Sequence, residues 1–404
     1  MSKPTLGALY PVTGIRLNTV SAGIKKPGRR DVVLMDISEG ANVAAMFTQN
    51  AFCAAPITVA KNHLSKTKPR YLLINTGNAN AGTGEQGLQN ALACCQTLAE
   101  ISHCATQQVL PFSTGVIGEP LPVNKIVAVL QQAVAGLSTE GWEAAAHGIM
   151  TTDTVPKGQS RRFTLDGESI TVTGIAKGAG MIRPDMATML AFVATDAKVS
   201  QNVLETIWRD AVSHSFNKIT IDGDTSTNDS AILIATGKTT LAEITSIDDS
   251  GYLPLKQAVC QLCEQLAMDM VRDGEGATKL ITVEVSSGGS QQECDDVAFT
   301  VAHSPLVKTA MFASDPNWGR ILAAVGRAGL ENLDISKIQI HLGNVCIVRN
   351  GARAAEYSEE HGQQVMKQEE ITVRIDLGRG DSNIRVWTCD FSYDYVRINA
   401  EYRT

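Results

Sequence analysis

The chain has 404 residues with 35 basic against 42 acidic side chains, and the resulting formal charge of −7 excludes the electrostatic footprint of a nucleic-acid-binding protein. Apolar residues make up 44% and charged residues 19%, a balance that excludes a disordered or fibrous chain and leaves a packed globular protein. At roughly 150 residues per domain the length fits two or three domains, and two are expected. Residues 1–20 contain no continuous apolar run and no later stretch approaches the length of a bilayer span, so a soluble, unexported protein without membrane partner is expected. Nine scattered cysteines fit reduced thiols in a cytoplasmic setting.

In chain order, residues 71–75 (YLLIN) read as a buried strand, followed by a glycine-rich turn and then by Leu88, Ala91, Leu92, Cys95, Leu98 and Ala99 at helical spacing. Ile126, Val127, Leu130, Ala133, Val134 and Leu137 mark a second helix. Residues 170–175 read as a strand leading into a glycine loop, with another buried strand beginning near Ala187. Val203, Leu204, Ile207, Trp208, Ala211 and Val212 mark a third helix; a fourth spans about 255–271 and stops at Asp273-Gly274. Downstream of Lys279 the texture changes to short strands between Gly, Asn and Asp turns, and residues 370–391 suggest a hairpin around Gly378-Arg379-Gly380-Asp381-Ser382.

Several motifs invite a reading that their surroundings oppose. Gly82-Thr83-Gly84-Glu85-Gln86-Gly87 fits a dinucleotide fingerprint, which would make a nucleotide-binding regulatory protein the non-enzymatic alternative. Residues 76–81 separate it from the strand, however, and residues 105–114 supply no acid for a ribose, so a surface turn is the better reading. Cys260 and Cys263 form a C-x-x-C pair on the apolar stripe of a predicted helix and read as core residues. The oxygen-rich run from Asp222 to Asp229 has Thr227 where a calcium loop needs glycine, and reads as a polar loop at a strand entrance. No histidine spacing suggests a metal, and none is expected.

The segment KGAGMIRPDMATML, residues 177–190, resembles the self-cleavage signature of the ornithine acetyltransferases, also called glutamate N-acetyltransferases, of cyclic arginine biosynthesis. The runs Ser113-Thr114-Gly115-Val116-Ile117-Gly118, Met150-Thr151-Thr152-Asp153-Thr154-Val155-Pro156-Lys157, Asp273-Gly274-Glu275-Gly276-Ala277-Thr278-Lys279, Ser314-Asp315-Pro316-Asn317-Trp318-Gly319-Arg320 and Asn399-Ala400-Glu401-Tyr402-Arg403-Thr404 also resemble family segments, so the similarity spans essentially the whole chain. The resemblance implies an αββα sandwich similar to amino-terminal nucleophile hydrolases over residues 1–280, and a smaller α/β domain over 281–404 whose tail returns to the site.

By the same resemblance, the chain cuts itself between Ala187 and Thr188, and Thr188 becomes the nucleophile. The residue type suits this: a threonine hydroxyl can attack its preceding carbonyl, and the freed α-amine, with a pKa of about 7.7 to 8.0, is then a base beside Oγ. The resemblance gives Thr114 and Gly115 as the oxyanion hole, although a plain turn after a strand at 109–112 is equally compatible with the local sequence. It gives Thr151, Lys177, Thr188, Glu275, Asn399 and Thr404 as the substrate site. It further implies N2-acetyl-L-ornithine as donor and L-glutamate as acceptor, no cofactor, acetyl-coenzyme A as an admissible additional substrate, and a heterotetramer of two large and two small fragments. A self-processing aminopeptidase or amidase of similar fold is the enzymatic alternative, with water as acceptor.

Overall fold

The computed structural model describes residues 1–183 and 189–401. Two compact units divide the chain: Pro4–Asn217 with Asp224–Met270 form the larger, and Met1–Lys3, Lys218–Gly223 and the described residues from Val271 onward form the smaller.

The larger unit opens with β1 (Ile15–Val20), β2 (Val32–Ile37), β3 (Asn42–Phe47) and α1 (Ala55–Leu64). Next come β4 (Tyr71–Asn78), α2 (Gly84–Ser102), β5 (Val109–Val116), α3 (Val123–Ala135) and α4 (Trp142–Gly148). The unit continues through β6 (Lys157–Leu165), β7 (Glu168–Lys177), β8 (Leu190–Thr195), α5 (Gln201–His214), β9 (Ser230–Ala235) and α6 (Tyr252–Arg272). Two sheets result, β1-β2-β4-β5 and β3-β9-β8-β7-β6. Their inner faces share one apolar core, to which the first contributes Leu17, Met35, Ile74 and Phe112 and the second Ile175, Phe192 and Ile232. Phe112 and Phe192 meet edge to face with centroids 5.2 Å apart.

On the outer face of the first sheet, Leu34, Leu73 and Val109 pack with Cys95 and Leu98 of α2 and Leu130 of α3. Strand β4, covered on both faces, is buried along its whole length, which is why it reads as a continuous apolar run. Helices α5 and α6 line the second sheet: Trp208 Nε1 donates to the Ala231 carbonyl at 3.0 Å, and a Cβ on Gly174 would lie 2.9 Å from Leu262 Cδ2. The layering is the αββα sandwich expected from the sequence.

The smaller unit contains β10 (Leu280–Gly288), α7 (Gln291–Ala302), α8 (Pro305–Phe312), α9 (Trp318–Gly326), β11 (Gln339–Leu342) and β12 (Val345–Arg349). β13 (Ala352–Arg353), α10 (Glu359–Met366), β14 (Glu370–Asp376), β15 (Ser382–Cys389) and α11 (Tyr393–Ala400) complete it. Its sheet has the order β13-β12-β11-β14-β10-β15. Val283, Ile340, Val373 and Val386 belong to a core shared with Val297, Val301 and Ile321 of the helices, while Glu284 pairs with Arg374 at 3.1 Å and Arg385 at 3.0 Å in the same sheet.

The hairpin expected over 370–391 is not formed. β10 lies between the two strands, parallel to β14 and antiparallel to β15, and the Gly378 turn folds over the end of β10, with Arg379 N–H donating to the Ser287 carbonyl at 2.7 Å. The apolar strand LITVEV gains pairing on both edges this way. The smaller unit starts at Val271, inside α6, whereas the strand texture begins at Leu280. The intervening residues are tied to this unit by Asp390, whose Oδ1 accepts from the N–H groups of Thr278 at 2.8 Å and Lys279 at 2.9 Å.

Candidate active site

Strands β4 and β5 run parallel with Asn75 opposite Ser113, Thr76 opposite Thr114 and Gly77 opposite Gly115. The turn weighed after residue 112 is therefore a continuing strand. Its continuation depends on glycine: Gly115 has φ +135°, and a Cβ there would fall 2.3 Å from the carbonyl carbon of Gly77. From the next sheet, Lys177 at the end of β7 donates from Nζ to Thr114 Oγ1 at 3.1 Å. Asn228, just before β9, braces this strand end by donating from Nδ2 to the carbonyls of Ser113 at 2.9 Å and Ala79 at 2.5 Å.

Thr151 follows α4, and its N–H donates to Asp153 Oδ2 at 2.9 Å. The other carboxylate oxygen, Oδ1, accepts from Gly178 N–H at 2.7 Å and Lys157 Nζ at 2.6 Å. Burial alone would push the Asp153 carboxyl up, but the charges of Lys157 and Lys177 and these hydrogen bonds hold it well below the usual carboxylate range. Asp229 has the opposite fate. Its burial pushes the carboxyl well up, and hydrogen bonds from Ser226 and Met189 with the Lys177 charge offset only part of that.

In the smaller unit, Glu275 is buried and accepts from Asn399 Nδ2 of α11 at 2.9 Å. Gly276 permits this approach, since a Cβ on it would lie 2.5 Å from Tyr395 N, and Ser392 Oγ donates to the Gly276 carbonyl at 2.6 Å. The structure thus joins Thr114 to Lys177, both next to Gly115 or Asp153-bound backbone, and separately joins Glu275 to Asn399. Ala187, Thr188 and Thr404 lie outside the described residues. The C-x-x-C pair sits on α6, where burial pushes the Cys260 thiol up to about 11 and that of Cys263 well above its ordinary value, against the depressed pKa that redox chemistry uses.

The model of the ArgJ family matches residues 16–404. The chain belongs to the ArgJ family. It is similar to the arginine biosynthesis bifunctional protein ArgJ of Pseudomonas fluorescens, at 62% identity over 99% of this chain and 98% of the relative. The protein of the same description in Pseudomonas syringae pv. tomato is 61% identical over the same shares. A solved structure of ArgJ from Bacillus halodurans is 37% identical, covers 53% of this chain and 99% of the solved chain, and has a TM-score of 0.50. Membership carries the activity: the chain is a glutamate N-acetyltransferase of arginine biosynthesis.

Sequence reasoning singled out neither Asp153, Asn228 nor Asp229 as a site residue, although each lies in a motif it had weighed. Their importance comes from burial, at 8%, 5% and 3% exposure, and a polar residue in a polar run carries no local sign of being buried. Among the described residues no helix is long and apolar enough to cross a membrane.

Proposed function

We propose that the chain cuts itself between Ala187 and Thr188 and that Thr188 then shuttles an acetyl group from N2-acetyl-L-ornithine to L-glutamate. The observation that carries this reading is the meeting of Thr114 Oγ1 with Lys177 Nζ at 3.1 Å, beside a glycine that no other residue could replace. In cleavage, Thr188 Oγ attacks the Ala187 carbonyl, the peptide C–N bond breaks to leave an ester and a free Thr188 amine, and water opens the ester. In transfer, Oγ attacks the acetamide carbonyl while the Thr188 amine takes the hydroxyl proton and delivers it to the departing ornithine amine. The Thr114 hydroxyl and the Gly115 N–H stabilise the oxyanion, a term worth about 3 to 4 kcal/mol per donor. The glutamate amine then attacks the acetyl ester by the same path, in ping-pong order.

Lys177 and Thr151 suit the substrate α-carboxylate, and Glu275 with Asn399 and Thr404 suit its ammonium group. The exchange requires no cofactor. Acetyl-coenzyme A serves as a further acetyl donor in this reading, in keeping with the word bifunctional in the names of the relatives. The fragments assemble as two large and two small chains in the cytoplasm. Cleavage is supported by the Bacillus halodurans relative: 53% of this chain accounts for 99% of that one, and the fragment from Thr188 on has 404 − 187 = 217 residues, about 54% of the chain.

Incubating the purified protein with acetylornithine and glutamate should release ornithine and form acetylglutamate, with parallel double-reciprocal lines. Rapid hydrolysis of acetylornithine without glutamate, and no acetylglutamate when glutamate is added, would instead make the protein an amidase.

A further inference from the structure

We propose that Asp153 is the positioning residue of this site, setting Thr151 and Lys177 in place through one buried carboxylate. The inference rests on the proposed roles of those two residues in substrate binding. Asp153 Oδ2 accepts the N–H of Thr151 at 2.9 Å, and Oδ1 accepts the N–H of Gly178, the residue after Lys177, at 2.7 Å. One carboxylate thereby fixes two segments far apart in sequence, the exit of α4 and the end of β7. The second of these delivers Nζ of Lys177 to Thr114.

The surroundings favour positioning over simple charge pairing. Lys157, on β6, neutralises Asp153 at 2.6 Å, with both side chains fully buried. An acid present only to neutralise Lys157 would need that contact alone. Asp153 instead divides its oxygens between two backbone donors, and donors facing an ionised acceptor make shorter and stronger bonds than neutral pairs. Gly178 has φ +151°, and a Cβ on it would lie 2.8 Å from Met270 Cε, so this peptide has neither a side chain of its own nor room for one to hold it. Loss of the carboxylate removes the side-chain acceptor of the Gly178 N–H, just past the ladder that ends at Lys177, together with that of Thr151, so the two segments lose their shared anchor.

The test compares Lys157→Met with Asp153→Asn/Lys157→Met. The double variant removes both buried charges, a change that is often nearly neutral for stability, but it leaves one acceptor, the amide oxygen, for two N–H groups and turns an NH2 donor toward the other. We expect it to keep a Tm near that of wild type, to bind ornithine by calorimetry at least tenfold more weakly and to raise KM for acetylornithine at least tenfold, with kcat changed about threefold or less. Lys157→Met leaves both N–H contacts in place, so its Tm should fall while KM and ornithine affinity stay within about twofold. Affinity within twofold of wild type in the double variant, or an equal loss in Lys157→Met, would overturn the proposal. Should the double variant fail to fold, Asp153→Asn alone takes its place against Lys157→Met, with the same tenfold and twofold limits on ornithine affinity. Wild-type protein inactive with acetylornithine and glutamate would reject the functional reading itself, a result distinct from either.

Discussion

Lys177 acts on two buried acids whose carboxyl groups are shifted in opposite directions, and their pH dependences have opposite sign. An unfolded aspartate loses its proton near pH 3.9. Asp153, held below that value, contributes stability that is present above it and is lost as pH falls through the folded pKa. Asp229, held above it, keeps its proton to a higher pH in the fold than in the unfolded chain, so stability declines as pH rises from about 4 toward the folded pKa. Asp229→Asn removes the second dependence: its Tm should exceed that of wild type by a few degrees at pH 8, and the gap should close toward pH 4. A gap of constant size would mean that the carboxyl titrates alike in both states. Thr114→Ala should lower kcat by about 10² to 10³ with the fold intact, because the lost donor acts mainly in the transition state; an unchanged kcat removes Thr114 from the oxyanion hole. Thr114, Gly115 and Lys177 stood out only through the resemblance of their segments to a family, and nothing local in the sequence announced the contact between Thr114 and Lys177. Asp153 and Asp229 did not stand out, since what distinguishes them is the low dielectric that the folded sheets create.

The elements divide along a similar line. Strands whose apolar residues are covered on one or both faces, such as β4, β10 and β14, announce themselves in the sequence. The helices of the smaller unit do not, because α8 and α10 have only eight residues each, too few for periodicity to speak. Their signals are instead at their beginnings. Ser290, Ser304, Asn317 and Ser358 each accept from a backbone N–H in the first turn of the helix that follows. Ser290→Ala should therefore cost about 1 kcal/mol of stability with activity unchanged, read by denaturant titration. The missing hairpin has a related origin: pairing between β10 and both β14 and β15 is non-local, and a glycine turn between two strands says nothing of a third strand inserted between them.

For the molecule as a whole, denaturing electrophoresis should show fragments of 187 and 404 − 187 = 217 residues, and Thr188→Ala should remain a single chain. Acetylornithine alone should then leave an acetyl increment on the first residue of the 217-residue fragment, and glutamate should discharge it. Lys218–Gly223 belongs to the smaller unit although the segments on either side of it belong to the larger: Thr220 N–H donates to the Trp387 carbonyl at 2.9 Å, and no shift in composition marks so short a segment. The pairing of β7 with β8 has a consequence of another kind. Residues Val172–Lys177 and Leu190–Thr195 are neighbours in one ladder, and the proposed cut after Ala187 would place them on different polypeptides. The sheet of the cleaved protein would then have no covalent link between these strands, so forming it would need two chains to meet, whereas in the precursor the strands meet within one chain. The urea midpoint of processed protein should rise more steeply with protein concentration than that of Thr188→Ala, whose two halves stay covalently joined. Once the halves are separated, recovery should slow with dilution, whereas the uncut precursor can form this sheet at a rate independent of how much of it is present.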